Sequence, residues 1–372
     1  MKIIITLRES GHLGGVVSFY KSIVPYLNND KNKSFIFFHI GKKINRKIPF
    51  HVIMDQFRFQ KKLRQLNPDI VHVNPSLNLK SFLRDGLFIY WAKRKNLPVL
   101  VFWHGWGKKF EKKIDTNLFF YWFFKKTFLR ADKTIVLASD FKKKLISWGV
   151  KSDIILGTTV IDESLLEGFD INKKIQKINK SKKINILFLS RIEKEKGIFE
   201  TISAFKMLLD KNYNIKLNIV GDGTALESVK RYSKAIKIPE NKLSFLGYVK
   251  GYKKKEVFIN NHIYCFPTYC EGMPISVLEA MSFGMPVITR AVGGLKDFFQ
   301  DKQMGFSTTS KNPYVFAKLV EKLIINKSLI SDIGLYNHRF AEKHFAASIG
   351  FKLLESLYYE ICNTVEFNKM IH

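Results

Sequence analysis

The chain has 372 residues, 62 of them Lys or Arg against 32 Asp or Glu, for a formal net charge of +30. With 46% apolar and 14% aromatic residues, 33 of them Phe, it can fill two packed cores, which excludes disorder throughout. Three cysteines (Cys265, Cys270, Cys362) are too few and too late in the chain for a disulfide scaffold and read as reduced thiols.

In chain order, strands are predicted at Lys2–Thr6, Ser34–His39, Ile70–Asn74, Val99–His104 and Lys133–Ala138. A second series follows at Ile184–Ser190, Ile215–Val220, Lys242–Gly247, Ile263–Phe266 and Val287–Thr289. Helical segments lie between them, among them Gly15–Leu27, Glu200–Leu209, Thr224–Ile236 and Ile275–Phe283. Continuous apolar runs alternating with amphipathic helices predict α/β folding on parallel sheets buried on both faces. The lysine- and asparagine-rich stretch 171–183 has no broad apolar face and reads as a linker. The expected domains are therefore 1–170 and 184–340, two Rossmann-like doubly wound units with a cleft between them. Residues 341–372 read as a helical segment that packs back on one half. No apolar run approaches the ~18 residues of a membrane span. The N-terminus enters a strand directly, so a cytoplasmic location is expected.

The basic excess is uneven. Residues 1–150 hold 29 basic and 9 acidic residues, and the remainder 33 and 23. AT-rich coding would spread such an excess evenly, so the first half is expected to face an anionic partner.

Four segments carry chemistry. In Cys265–Pro286 a strand end leads through a turn, Glu271-Gly272-Met273-Pro274, into a helix bearing Glu279. The helix N-terminus offers N–H groups and a positive dipole end, and two carboxylates eight positions apart can grip two parts of one ligand. By itself such a segment is an N-capping turn with an exposed glutamate. Residues 188–197 place Arg191 and Lys196 after a strand end and before Gly197, an arrangement that is often merely a solvated loop. Glu9-Ser10-Gly11-His12-Leu13-Gly14-Gly15 follows the first strand, where glycines permit close backbone approach to a ligand. Val101-Phe-Trp-His104-Gly105 puts a histidine at a strand end.

Taken together these segments resemble the retaining GT-B glycosyltransferases of family 4 (group 1), over nearly the whole chain and most specifically at 184–300. The resemblance implies that Glu271 contacts the donor sugar, that Gly272, Met273, Pro274 and Ile275 hold sugar hydroxyls and phosphate through their backbone, and that Glu279 binds ribose. It implies that Arg191 and Lys196 neutralise the donor diphosphate, that Gly14 and Gly15 approach the donor, and that His104 meets the transferred sugar. The stretch around Val249 resembles the segment whose backbone faces the nucleobase. The co-substrate is then a nucleotide-sugar, UDP- or GDP-linked. With no Asp-x-Asp pair and two cations available for charge stabilisation, no metal is expected. Where related enzymes usually carry Asn-Gly-Val-Asp, this chain has Leu156-Gly157-Thr158-Thr159-Val160-Ile161-Asp162, which leaves that asparagine's contact without a counterpart.

The expected reaction is sugar transfer to a saccharide acceptor, expected to be lipid-linked, in bacterial surface polysaccharide or lipopolysaccharide biosynthesis. A nucleotide-sugar epimerase on the same fold, which would convert donor without acceptor, is the alternative. A nucleic-acid-binding protein, suggested only by the charge, lacks a recognition motif. Finally, Lys108–Arg130 surrounds Leu-Phe-Phe-Tyr-Trp-Phe-Phe with lysines, a composition that suits either an anionic membrane surface or a core helix with basic ends.

Overall fold

The computed structural model describes residues 1–8, 14–29, 33–41 and 48–371. It forms two compact units, residues 1–160 with 347–372, and residues 161–346.

In the first unit the strands are β1 (Lys2–Arg8), β2 (Ser34–Ile40), β3 (Ile70–Val73), β4 (Ser76–Leu77), β5 (Val99–Trp103), β6 (Gly105–Trp106), β7 (Lys133–Val136) and β8 (Asp153–Leu156). Six of them make a parallel sheet ordered β2-β1-β3-β5-β7-β8, while β4 and β6 pair separately. Central strands β3 and β5 are buried at every position. Each fully buried aliphatic or Phe side chain there contributes about 1.5–3 kcal/mol, which explains why these runs are apolar on both faces. The order reverses direction between β1 and β3, the switch point at which such sheets bind ligands beyond the strands' carboxyl ends.

The second unit contains β9 (Ile184–Leu189), β10 (Ile215–Val220), β11 (Leu243–Phe245), β12 (Ile263–Phe266), β13 (Val287–Arg290) and β14 (Gly305–Thr308). All pair in parallel, ordered β11-β10-β9-β12-β13-β14. Here the switch point falls between β9 and β12. The loops after these two strands, 190–197 and 267–274, are the two segments singled out in the sequence.

Three expectations are corrected. The stretch 171–183 is not a linker: Ile171–Lys180 is a helix of the second unit, capped by the Asp170 carboxylate and buried at Ile171, Lys174 and Ile178. Lys174 explains the misreading. Its amine is buried and donates to the carbonyls of Phe258 (2.7 Å) and Phe283 (2.8 Å), so a lysine occupies an inward position. Second, the first unit's contiguous part ends at Val160 rather than 170, and the second unit runs on to Ala346. Third, the C-terminal helix begins at Ala347 rather than 341; it packs back on the first unit, one of the two placements expected for it, where Glu355 pairs with Lys33 (2.5 Å) and Glu360 with Lys133 (2.6 Å).

The aromatic segment divides between the two readings offered for it. In the helix Leu118–Lys126, Phe123 and Phe124 join the core, whereas Leu118, Phe119 and Trp122 are 88%, 57% and 54% exposed. Among the described residues, no helix is long and apolar enough to cross a membrane.

Candidate active site

After β9 the chain turns through Ser190 and Arg191 into a single 3-10 turn, Lys194–Lys196, and then Gly197 opens the helix Ile198–Asp210. Gly197 has φ +76°, and a Cβ there would lie 2.2 Å from the carbonyl oxygen of Pro267. Only glycine lets the β9 and β12 loops approach so closely. Cross-loop hydrogen bonds lock the approach: the Tyr269 N–H donates to the Glu195 carbonyl (2.8 Å). Lys196 consequently meets Glu271 across the switch point in an ion pair, with each side chain 14% exposed. The Thr268 hydroxyl donates to the same Glu271 oxygen (3.2 Å). Arg191 is exposed, and its side chain makes no ion pair among the described residues.

Beyond Glu271, the backbone of Gly272 is fixed by the N–H of Gly294, which donates to its carbonyl (2.6 Å). Gly293, with φ +54°, makes this possible because a Cβ would stand 1.8 Å from the Glu271 carbonyl oxygen. Pro274 sits at the N-cap, and the helix Ile275–Ser282 starts without a side-chain cap. The N–H groups of Gly272, Met273, Ile275 and Ser276 make no hydrogen bond among the described residues. Open N–H groups at a positive dipole end form an anion- or hydroxyl-binding surface. The helix ends in a Schellman turn at Gly284 (φ +65°), where the Met285 N–H returns to the Ala280 carbonyl (3.0 Å).

Glu279 is 3% exposed and pairs with Lys254 at 2.5 Å. Burial pushes its carboxyl up from the usual range, Lys254 pulls it part of the way back, and Asp162 adds to the rise. Nearby, the Tyr264 hydroxyl donates to the Leu189 carbonyl (2.8 Å) and meets Ser276 Oγ (2.7 Å), which ties the β9 end to the helix. Val249 is half-buried beyond β11 on the sheet's edge, where the Gly221 N–H donates to the Gly247 carbonyl (2.8 Å).

In the first unit, His104 links β5 to β6. Its Nε2 lies 2.9 Å from Asn74 Oδ1, its ring stands against Phe102 (3.9 Å between centroids) and Phe19 (5.4 Å), and burial holds its pKa down to about 3. Gly14 and Gly15 are exposed at the start of the helix Gly15–Asn29, and a Cβ on Gly14 would meet nothing within 4 Å. The glycine character of Gly14 is thus not demanded by packing against the described residues. The rest of that motif, Glu9 to Leu13, lies outside the described residues.

Sequence reasoning missed Lys254, Thr268, Tyr264, Gly293 and Asn74. Lys254 is one of three consecutive lysines on the helix Tyr252–Ile259. Its neighbour Lys255 turns instead to the Glu167 carbonyl, so nothing in the run marks the member that reaches Glu279.

Two parallel Rossmann-type sheets, the second with cation and carboxylate joined at its switch point, define the GT-B architecture. Family comparison agrees along the chain: residues 17–162 match the model described as Glycosyltransferase Family 4, and residues 170–340 that of Glycosyl transferases group 1. The chain belongs to this group 1, family 4 class of glycosyltransferases. It is 30% identical over 236 residues to the capsular polysaccharide biosynthesis glycosyltransferase CapM of Staphylococcus aureus, an alignment spanning 61% of either chain. Among solved structures, the Anabaena HepE protein in complex with UDP and glucose superposes with a TM-score of 0.69 at 15% identity, covering 96% of this chain and 99% of that one. The sucrose-phosphate synthase of Thermosynechococcus elongatus gives 0.75 at 15% identity, covering 98% and 99%. At such identities these two likenesses concern the fold.

Proposed function

We propose that the chain transfers a sugar from a UDP- or GDP-linked donor to a lipid-linked saccharide, with retention of anomeric configuration, in the assembly of a bacterial surface polysaccharide or lipopolysaccharide. The observation that carries this reading is the Lys196–Glu271 pair beside the open N–H groups of Gly272 to Ser276. A diphosphate would draw Lys196 from Glu271 and take the exposed Arg191 as a second cation, two charge-assisted contacts that strengthen as the leaving group gains charge. Freed from Lys196, Glu271 would accept from donor-sugar hydroxyls. Gly272, Met273, Pro274 and Ile275 would line the sugar and phosphate with backbone, Glu279 would accept from the ribose, and the Val249 stretch would face the base. By the resemblance, Gly14 and Gly15 would approach the donor and His104 would meet the transferred sugar. In the transfer, the bond from the anomeric carbon to the phosphate oxygen breaks as the acceptor oxygen bonds to the same face. The acceptor's proton passes to the departing phosphate oxygen.

CapM's role in capsular polysaccharide and HepE's complex with UDP and glucose support the pathway and donor classes. A lipid-linked acceptor accords with the helix face on which Leu118, Phe119 and Trp122 stand exposed beside Lys125 and Lys126. On the preceding helix Lys109, Lys112 and Lys113 are exposed as well, while Glu111 is engaged with Lys108 and Asp115 with Lys144. Such a face suits peripheral contact with an anionic bilayer on its cytoplasmic side.

Thermal-shift titration with UDP-, GDP-, ADP- and CMP-sugars, with pyrophosphate and an oligonucleotide as charge controls, tests the reading. One nucleotide family should raise the Tm well above the pyrophosphate control. Equal shifts for every polyanion would reduce the effect to the chain's +30 charge and remove the proposal's support.

A further inference from the structure

Beneath His104 lies a polar cluster whose hydrogen-bond directions can be worked out. Asn74, the residue after β3, donates from Nδ2 to the Thr6 carbonyl (3.0 Å), and its backbone N–H donates to Thr6 Oγ1 (3.3 Å). That contact identifies the other end of the amide as Oδ1, on which the Tyr20 hydroxyl and His104 Nε2 converge, each at 2.9 Å. An amide oxygen can only accept, so both partners must donate. His104 therefore carries its proton on Nε2, and Nδ1 keeps its lone pair. No described residue takes that nitrogen.

The ring has little freedom to do otherwise. The His104 backbone N–H donates to the Pro75 carbonyl (3.0 Å), Phe102 covers one face and Phe19 meets the ring at a steep angle. These neighbours and Tyr20 and Asn74 are uncharged near neutral pH, and among the described residues the titratable rings close by are the Tyr20 phenol (6.4 Å between centroids) and the His72 imidazole. Burial and then His104 itself hold His72 down to about 3. His72 is in turn gripped from the C-terminal helix, with the Tyr358 hydroxyl 2.7 Å from its Nδ1.

We propose that Asn74 is the positioning residue for His104, fixing the neutral Nε2–H imidazole so that Nδ1 is presented as a hydrogen-bond acceptor to a sugar hydroxyl. The inference about the sugar rests on the reading of His104 as an active-site residue; the inference about the tautomer does not. Asn74 thus does for His104 what an orienting carboxylate does elsewhere, but without adding charge that would favour the imidazolium.

Long-range nitrogen–proton NMR of the 15N-labelled full chain, read against the His104→Gln spectrum to assign the ring, tests this. The wild type should show the Nε2–H tautomer, unchanged from pH 5 to pH 8. Asn74→Asp, nearly isosteric, sets a carboxylate against Nε2–H and should bring an imidazolium titration into that range, together with an acid limb in the pH profile of kcat. Tyr20→Phe leaves the Asn74 contact intact and should keep the wild-type tautomer. An Nδ1–H signal in the wild type, or an Asn74→Asp titration identical to it, overturns the proposal. Wild-type transfer rates in His104→Gln, with the tautomer behaviour as expected, would instead remove the active-site reading and leave Asn74's positioning role standing.

Discussion

Gly293→Ala is the change that most directly tests how the donor loop is built. Its φ of +54° costs an alanine about 1–2 kcal/mol. The collision matters more: the new Cβ would lie 1.8 Å from the Glu271 carbonyl oxygen and 2.9 Å from that of Gly272. Carbon–oxygen contacts settle near ~3.3 Å, so one strand of backbone must yield by about 1.5 Å. The segment that yields carries Glu271 and the open N–H groups, and a misplacement of about 1 Å at a positioned group costs about 100-fold in rate. We expect kcat/KM for donor turnover to fall by about that factor or more. Gly168→Ala is the matched control, because φ is +66° and a Cβ meets nothing within 4 Å. It should lose only the φ cost of about 1–2 kcal/mol and keep kcat/KM. Donor consumption followed alongside the Tm of each variant separates the two effects. A folded Gly293→Ala enzyme with wild-type kcat/KM would refute the reasoning.

Further outcomes follow from the same geometry. Lys254→Met strands the buried Glu279 carboxylate and should raise the donor KM with a lower Tm; calorimetric donor binding equal to wild type would count against a ligand role for Glu279. Lys174, whose pKa burial lowers to about 7, holds fewer protons folded than unfolded between about pH 7 and its ordinary value of 10.5. Stability from this group therefore rises with pH across that window, by up to about 1.4 kcal/mol per unit, and is lost as pH falls through 7. The Tm gap between wild type and Lys174→Met should widen in the wild type's favour from pH 7 to pH 9, and a gap independent of pH would sink the assignment. Phe119→Ser with Trp122→Ser should weaken co-sedimentation with anionic vesicles while leaving donor binding intact; unchanged sedimentation would dismiss the membrane face.

Much of this architecture is written locally. The runs at β3, β5, β9 and β12 are apolar because both faces of a parallel sheet are covered, and the Glu271 and Lys196 loops stand out by their place after β12 and β9. What escaped the sequence depends on partners distant along the chain. Lys174 reads as linker polarity because the carbonyls that satisfy it are 84 and 109 residues away. Gly293 and Gly294 look like any glycine turn until the Glu271 backbone is seen beside them. Asn74 ends a strand unremarkably, and only folding brings Thr6, Tyr20 and His104 around its amide.

The central claim is that Lys196 and Glu271 act on a nucleotide-sugar. Its most direct test is 31P NMR of nucleoside diphosphate release from UDP- and GDP-sugars, with proton NMR of the sugar first liberated to water. The account predicts release from one nucleotide class, a first-formed sugar with the donor's anomeric configuration, and loss of both signals in Glu271→Gln and Lys196→Ala. Release that continues unchanged in those variants, or an inverted first anomer, would contradict it.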